Sequence, residues 1–208
     1  MFDLIVSLLA LPFLIVITLV VAILIFADDR GPVFYVSERI GKDGKIFKMI
    51  KFRSMKVNAP DIRLEDGSTY NAEDDPRVTR IGKILRVTSI DELPQLFNML
   101  VGNMSLIGPR PDPPDWLERY PDDIKGFLSV KPGITGYSQA YYRNSADAEE
   151  KMKNDLYYAL NCTFTMDVKV FFKTIAVILK HENVYRDTSD DESAKKEIEL
   201  LRGTVGKR

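Results

Sequence analysis

Cysteine and histidine are almost absent from this sequence, whose 208 residues include one of each, Cys162 and His181. A single cysteine excludes an intrachain disulfide framework and any zinc site built from several cysteines. A single histidine excludes a metal site that needs two histidine ligands. If the chain is an enzyme, carboxylates, lysines or arginines are therefore expected to carry the chemistry.

An excess of charge of either sign is also missing, with 29 lysines and arginines against 30 aspartates and glutamates. This balance argues against a broadly basic nucleic-acid-binding protein and against an acidic solvating tail. Neither a P-loop nor a dinucleotide-binding glycine motif is present in the sequence. With 45% hydrophobic and 28% charged residues, the composition is that of a folded globular chain. We therefore expect one folded domain, with at most a small appendage, and no nucleic-acid partner.

Charged side chains are absent from residues 4–27, where Ser7 and Thr18 are the polar side chains. In a helix these 24 residues would extend about 36 Å, which exceeds the ~30 Å hydrocarbon core of a bilayer. Arg30 is the first basic residue, so the basic n-region of a cleaved signal peptide is missing. We therefore predict that residues 1–27 remain as a membrane anchor.

Pro12 lies inside this apolar segment. Proline removes one backbone hydrogen bond from a helix and bends it, which favours a re-entrant helix that enters and leaves the bilayer on the same side. The alternative is a kinked helix that spans the membrane, because membrane helices tolerate proline. Every lysine and arginine follows the segment, so residues 28–208 are expected on the cytoplasmic side.

Beyond the anchor, the sequence contains strand-like, loop-like and helix-like patterns. Residues 33–39 and 46–52 are rich in strand-forming residues, and an Asp43-Gly44 pair between them predicts a β-hairpin. Residues 56–75 lack apolar periodicity and predict a long loop, a kind of segment that often binds ligands or acts as a lid. Apolar residues at helical spacing then predict several amphipathic helices.

The last strongly apolar helix has a face that suits core packing and membrane contact equally, and that face consists of Val168, Phe171, Phe172, Ile175, Ile178 and Leu179. We therefore predict an α+β fold. In it, a re-entrant membrane helix precedes a compact cytoplasmic domain with a β-hairpin and amphipathic helices at the membrane interface. The expected boundaries are residues 1–27 for the anchor, 28–186 for the cytoplasmic domain and 187–208 for a charged, mobile tail.

Two adjacent carboxylates, Asp91 and Glu92, stand at the start of one amphipathic pattern. A purely structural explanation is available, because Ser89-x-x-Glu92 fits a capping box and acidic residues favour the first turn of a helix. The segment Gly108-Pro109-Arg110-Pro111 likewise fits a rigid turn with a solvated arginine. Taken one at a time, these segments do not establish a catalytic site.

The order of several motifs along the chain is more specific. After the apolar segment come Gly31-Pro32-Val33-Phe34, Glu38-Arg39-Ile40-Gly41, Lys51-Phe52-Arg53-Ser54-Met55, Asp91-Glu92-Leu93-Pro94-Gln95-Leu96, the stretch from Met104 to Pro111, and Lys131-Pro132-Gly133-Ile134-Thr135-Gly136. In this order the sequence resembles the bacterial sugar transferase family, the monotopic phosphoglycosyl transferases. The resemblance extends from the anchor to about Lys180 and matches the minimal, single-domain form of the family.

This resemblance implies an enzyme that moves a sugar 1-phosphate from a UDP-sugar to polyprenyl (undecaprenyl) phosphate and releases UMP, the first membrane step of glycoconjugate assembly. It implies that Asp91 and Glu92 form the catalytic dyad, and that Asp91 becomes a covalent phosphosugar-aspartate. It also implies a place at the cytoplasmic face of the bacterial inner membrane. Its expected partners are the two substrates, the membrane and downstream glycosyltransferases.

The resemblance further implies a Mg²⁺ cofactor with Asp91 as its protein ligand. Substrate-binding positions of the family fall on Lys51, Arg86, Arg110, Pro111, Gln139 and Arg143. The physical reason for cations and metal is that a carboxylate attacking a phosphoryl group approaches another anion, and this charge must be neutralised. For Arg110, held between two prolines, a phosphate-binding role is favoured over simple solvation.

Two other classes of function remain as alternatives. One is a membrane-anchored scaffold for envelope polysaccharide assembly, in which the acidic pair only caps a helix. The other is a membrane-bound phosphatase that uses an aspartyl-phosphate and releases free sugar phosphate without a lipid acceptor.

Overall fold

The computed structural model describes residues 2–180, 184–186, 188 and 191–205. These residues form seven α-helices and four β-strands, which confirms the predicted mixture of helix and strand. The helices are α1 (Phe2–Asp29), α2 (Arg80–Val87), α3 (Gln95–Leu100), α4 (Tyr137–Tyr141), α5 (Ala148–Asn161), α6 (Phe164–Lys180) and α7 (Glu192–Val205). The strands are β1 (Phe34–Ile40), β2 (Ile46–Phe52), β3 (Ser105–Ile107) and β4 (Gly133–Thr135). Short 3-10 turns lie between several of them.

The predicted hairpin is confirmed, since β1 and β2 pair antiparallel in a register that places Ile40 opposite Ile46. The connecting turn contains Asp43 at φ 57° and Gly44 at φ 73°. Both residues thus adopt the left-handed conformation that an Asp-Gly hairpin turn favours. The hairpin brings Lys51, near the end of β2, to the inner part of the domain.

A second small sheet pairs β3 with β4 in parallel. Two glycines allow this approach, because a Cβ on Gly108 would lie 2.3 Å from the carbonyl oxygen of Lys131 and a Cβ on Gly133 would lie 2.2 Å from the nitrogen of Gly108. Any larger residue would force the two segments apart. This close contact determines where the chain leaves β3, and therefore where Arg110 lies.

Helix α1 is, among the described residues, the one helix long and apolar enough to cross a membrane, with a mean hydropathy of 3.2. It continues without interruption through Pro12. One stripe of the helix is buried by the rest of the protein, and most of its remaining apolar surface is exposed. Its second half packs through Val21 and Ile25 against a cluster that includes Phe52 and Leu85.

Both ends of α1 are hydrogen-bonded to the globular part of the chain. At the first end, the Asp3 carboxylate accepts bonds from Ser105 Oγ and Leu106 N, each 3.0 Å long. At the other end, Asp28 Oδ2 accepts a bond of 3.1 Å from the backbone nitrogen of Ile81, and Asp29 forms an ion pair with the buried Arg53. The anchor helix therefore lies along the domain instead of projecting away from it.

Helix α6 has its buried face on residues other than those that the sequence pattern emphasised. Val170 and Val177 are buried, whereas Phe172 and Leu179 are 64% and 74% exposed. Of the two interpretations offered by the pattern, core packing of this face is therefore wrong for Phe172 and Leu179. An outward apolar surface is what the structure shows.

Residues 56–75 contain no α-helix or strand, which confirms the predicted long loop. Helix α7 packs on this loop and buries Ala194 and Ile198 against Ile62 and Tyr70. The sequence pattern missed this helix, which lies within the tail that we expect to be mobile. The mobility of the tail itself stays a prediction.

Candidate active site

The acidic pair lies on a 3-10 turn, Ile90–Glu92, and α3 begins only at Gln95. Ser89 precedes the turn at φ 56°, in the left-handed region that non-glycine residues rarely adopt. Its side chain makes no capping hydrogen bond, and the Glu92 side chain bonds elsewhere. The capping-box interpretation is therefore wrong, and the acidic pair is not a helix cap.

The carboxylate of Glu92 is held between two cations from distant parts of the chain. Lys51 Nζ donates a bond of 2.8 Å to Glu92 Oε1, and Arg110 Nη2 donates one of 3.0 Å to the same oxygen. Bonds between charged groups of this length are roughly twice as strong as neutral ones. The structure thus brings three of the predicted site residues into direct contact.

Asn98 determines how the strand that carries Lys51 meets the dyad. Its side-chain oxygen accepts a bond of 3.0 Å from Ile50 N, and its side-chain nitrogen donates one of 2.6 Å to Lys48 O. Asn98 is buried, so these bonds replace water at both polar atoms. The amide thereby aligns β2 with α3 and positions Lys51 beside Glu92.

Asp91 differs from Glu92 in its surroundings. None of the described residues hydrogen-bonds its carboxyl, and the side chain is buried. Burial, and then the neighbouring negative charge of Glu92, raise the pKa of Asp91 to about 6, although Lys51, Arg86 and Arg110 act in the opposite direction. Such a carboxylate is ionised at neutral pH but poorly stabilised, which suits a nucleophile.

Glu92 titrates in the opposite direction. Burial acts to raise its pKa, but the charges of Arg110 and Lys51 and their hydrogen bonds outweigh burial and lower the pKa to about 2. Two adjacent carboxyls whose environments separate their pKa values in this way are typical of acidic pairs with different roles. Asp91 is therefore the carboxyl that gains a proton in mildly acidic solution, whereas Glu92 stays charged.

Two further arginines lie near the acidic pair. Arg86, in α2, is buried enough for desolvation to lower its pKa, and its buried Nη1 has no hydrogen-bond partner among the described residues. Arg143 Nη2 lies 3.4 Å from Ser89 Oγ, directly before the dyad turn, and desolvation likewise lowers its pKa. An orphaned buried donor on one arginine, with a second arginine at the dyad turn, is an arrangement that an anionic ligand would complete.

The remaining two predicted positions lie close to these arginines without bonding the dyad. Gln139, in α4, accepts a bond of 3.1 Å from the backbone nitrogen of Arg143, and its buried Oε1 has no partner in the described part of the chain. Pro111 follows Arg110 and is half-buried. The structure therefore places both near the site, and among the described residues neither is hydrogen-bonded to Asp91 or Glu92.

One buried cluster was not found by reasoning from the sequence. Lys151 Nζ lies 2.6 Å from Asp112 Oδ2, 3.2 Å from Asp155 Oδ2 and 3.3 Å from the carbonyl oxygen of Arg110. Tyr120 also donates a bond of 2.9 Å to Asp112 Oδ2. Through the contact between Lys151 Nζ and its carbonyl oxygen, the cluster supports the backbone of Arg110. The four-residue spacing of Lys151 and Asp155 was the available signal, and it indicates only a helical ion pair.

The described residues contain no group of three or more histidine, cysteine, aspartate or glutamate side chains that could hold a metal ion. Mg²⁺ is, however, commonly held by one or two carboxylates together with the phosphates of a substrate. The Asp91 carboxyl, with no hydrogen-bond partner of its own among the described residues, fits that role. Glu92 fits it poorly because Lys51 and Arg110 already bind it.

The sequence that contains these site residues matches a known protein family. The sequence model of a protein family described as "Bacterial sugar transferase" matches residues 1–181. This chain belongs to the bacterial sugar transferase family. The match covers the anchor helix, the acidic pair and every predicted substrate-binding residue of this family member.

Individual relatives agree with this assignment. The chain is 42% identical over 168 residues to "Undecaprenyl-phosphate galactose phosphotransferase" of Salmonella typhimurium, covering 76% of this chain and 35% of the relative. It is 42% identical over 181 residues to "UDP-glucose:undecaprenyl-phosphate glucose-1-phosphate transferase" of Klebsiella pneumoniae, covering 83% and 38%. It is 37% identical over 195 residues to "Exopolysaccharide production protein ExoY" of Sinorhizobium fredii, covering 88% and 86%. The chain thus spans about a third of the first two relatives and most of the third.

Proposed function

We propose that this protein transfers a sugar 1-phosphate from a UDP-sugar to polyprenyl phosphate, through a phosphosugar-aspartate on Asp91, and releases UMP. The observation that carries the proposal is the environment of Asp91. It is a buried carboxylate with a raised pKa, and the positive charges of Lys51, Arg86 and Arg110 act on it. Relatives named as UDP-sugar or undecaprenyl-phosphate transferases support the substrate classes.

In the first step, a carboxylate oxygen of Asp91 attacks the β-phosphorus of the UDP-sugar. The new bond joins Asp91 to the sugar phosphate, and the bond from that phosphorus to the bridging oxygen breaks, so that UMP leaves with the oxygen and its electrons. In the second step, a phosphate oxygen of the lipid attacks the same phosphorus. The lipid then carries the sugar through a diphosphate, and the Asp91 carboxylate is restored.

The cations around the dyad neutralise the charge of this exchange. Arg86, near Asp91, and Arg143, at the dyad turn, suit the diphosphate of the nucleotide sugar, because one guanidinium can donate two parallel hydrogen bonds to phosphate oxygens. Glu92 holds Lys51 and Arg110 in a fixed geometry, so that both cations face the transferring phosphoryl group without reorganisation. Glu92 is therefore a positioning carboxylate in this scheme.

The proposal includes Mg²⁺ as the cofactor. When bound, the metal would supply charge neutralisation on the diphosphate oxygens. Asp91 is the protein group that would hold it, together with the substrate. The adjacent arginines and lysine orient the substrate beside the buried Asp91 carboxyl.

We also propose a monotopic arrangement on the cytoplasmic face of the bacterial inner membrane. The support comes from α1, whose two ends both bond to the same domain through Asp3 and through Asp28 and Asp29. A spanning orientation would place one end on the far side of the bilayer and break one of these sets of bonds. The outward apolar surfaces of α1 and α6 would then face the lipid.

The test of the proposal measures UMP release and protein mass in parallel. Wild-type protein with a UDP-sugar and Mg²⁺ but no lipid should gain the mass of one sugar phosphate, and lipid phosphate should discharge it. Asp91→Asn should gain none, because an amide cannot form the acyl-phosphate. Its stability should be equal or higher, since burial disfavours the ionised carboxyl that it replaces.

The alternatives give different results in the same assay. A scaffold would release no UMP under any condition. A phosphatase would release free sugar phosphate without lipid acceptor. An Asp91→Asn protein that still turns over substrate would refute Asp91 as the nucleophile.

A further inference from the structure

The part of the chain that follows α6 returns to the candidate active site. Val184, Tyr185 and Arg186 are half-buried, and they lie beyond the residues matched by the family's sequence model. We call these three residues the C-terminal strap. No role in the proposed reaction has yet been given to the strap.

Hydrogen bonds on both sides of Tyr185 hold the strap in place. The carbonyl oxygen of Val184 accepts a bond of 2.7 Å from Asn144 Nδ2 and one of 3.1 Å from Asn71 Nδ2. Asn144 directly follows Arg143, so this contact places the strap beside an arginine of the site. Asn71 belongs to the long loop 56–75.

Arg186 fastens the other side of the strap to the same loop. Its backbone nitrogen donates a bond of 2.9 Å to Asn71 O, and its guanidinium bonds Ser68 Oγ at 2.5 Å and Asp66 Oδ2 at 2.8 Å. The Arg186–Asp66 pair is only partly exposed. With both neighbours anchored, the backbone of Tyr185 is held between the long loop and the turn that carries Arg143.

Tyr185 is also close enough to two site arginines to act on them electrostatically. Desolvation is the main cause that lowers the pKa of Arg86 and of Arg143, and the Tyr185 hydroxyl lies near enough to both to act in the opposite direction. These are the two arginines assigned above to the diphosphate. Tyr185 is therefore near the arginines proposed for the diphosphate, and one of the two groups attached to that diphosphate must lie near them as well.

We propose that Tyr185 forms one wall of the nucleotide pocket, where its ring stacks on the uracil base of the UDP-sugar. This inference rests on the proposed function for the identity of the nucleotide. An aromatic ring suits a flat base because every nucleobase offers a π-face, and such stacking needs no specific hydrogen bonds. The anchored strap holds the ring in place before the ligand arrives, which lowers the entropy cost of binding.

The test compares ligands that share the diphosphate but differ in what is attached to it. Dissociation constants for UDP, a UDP-sugar and inorganic pyrophosphate are measured by calorimetry, in Mg²⁺, on full-length protein. Tyr185→Ala should weaken UDP and the UDP-sugar about tenfold, which corresponds to ~1.4 kcal/mol, and leave pyrophosphate within about twofold. Tyr185→Phe retains the ring and should bind UDP within about twofold of wild type.

The control is Tyr157→Ala, which removes an exposed tyrosine ring from α5 and should leave all three affinities unchanged. Equal weakening of UDP and pyrophosphate by Tyr185→Ala would show that the residue only supports the arginines, and would overturn the proposal. Weakening of the UDP-sugar alone would assign the ring to the sugar and would also overturn it. Wild-type protein that binds UDP but never releases UMP would refute the proposed function without affecting this result.

Discussion

Acid should stop the first half-reaction at a pH set by Asp91. Burial and the charge of Glu92 raise the pKa of Asp91 to about 6, so its nucleophilic, ionised form is lost as the pH falls through 6. The ionised fraction is roughly nine-tenths at pH 7, one half at pH 6 and one-tenth at pH 5, because each pH unit changes the ratio of the two forms about tenfold. An ordinary aspartate, with a pKa near 3.9, would stay ionised over this whole range.

The assay follows the mass of the phosphosugar adduct in single-turnover reactions quenched at intervals. Polyprenyl phosphate is left out, since a phosphate monoester also titrates near pH 6 and would obscure the result. At UDP-sugar concentrations well below saturation, where the titration of the free enzyme is followed, we expect the rate to fall about tenfold between pH 7 and pH 5, in proportion to the ionised fraction of Asp91. Circular dichroism at each pH serves as the control for folding.

Glu92→Gln provides the second arm of this experiment. The substitution removes the negative charge that helps to raise the pKa of Asp91, and it leaves Lys51 and Arg110 free to stabilise the Asp91 carboxylate. The midpoint of the pH profile should therefore move to lower pH, even though the rate at neutral pH falls because both cations lose their anchor. A wild-type rate that stays flat from pH 7 to pH 5, or a midpoint that Glu92→Gln leaves in place, would refute the electrostatic account.

The other predictions concern charge and topology. Arg110→Ala should lower kcat/KM roughly a hundredfold, because it removes a cation that faces the phosphate and an ion-pair partner of Glu92. The control Arg119→Ala breaks an exposed ion pair with Asp115 and should keep kcat/KM within about twofold of wild type. Equal effects of the two substitutions would contradict a phosphate-binding role for Arg110. A cysteine at position 1, in a Cys162→Ser background, should resist an impermeant thiol reagent in intact cells and react with it after lysis. The exposed Cys162 of the unmodified protein should behave in the same way. Labelling of the position-1 cysteine in intact cells would demonstrate a spanning helix.

Features of the fold that depend on neighbouring residues followed from the sequence. The apolar run predicted the long helix that became α1, and the Asp43-Gly44 pair predicted the hairpin of β1 and β2. The order of motifs indicated the family and, through it, the residues now found around Asp91 and Glu92. Such features are readable because backbone conformation and hydrophobic burial are set largely within a few residues along the chain.

The roles of the two carboxyls depended on contacts that are remote in the sequence. A local pattern allowed Glu92 to be a helix cap, but its partners are Lys51, 41 residues away, and Arg110, 18 residues away. The pKa of Asp91 likewise follows from burial and from charges that several elements bring together. Only the packed chain decides these quantities, because they depend on distance and on exclusion of water.

The two ends of the chain also combine features that the sequence determines with features that only the tertiary structure decides. The sequence by itself determined that the uncharged residues 4–27 form an apolar helix and that a charged tail follows α6. It did not determine that Asp3 would bond β3, that Phe172 and Leu179 would face outward, or that Asn71 and Asn144 would hold Val184 beside Arg143. Hydrogen bonds between segments more than a hundred residues apart have no local signature, since their geometry exists only after the intervening chain has folded.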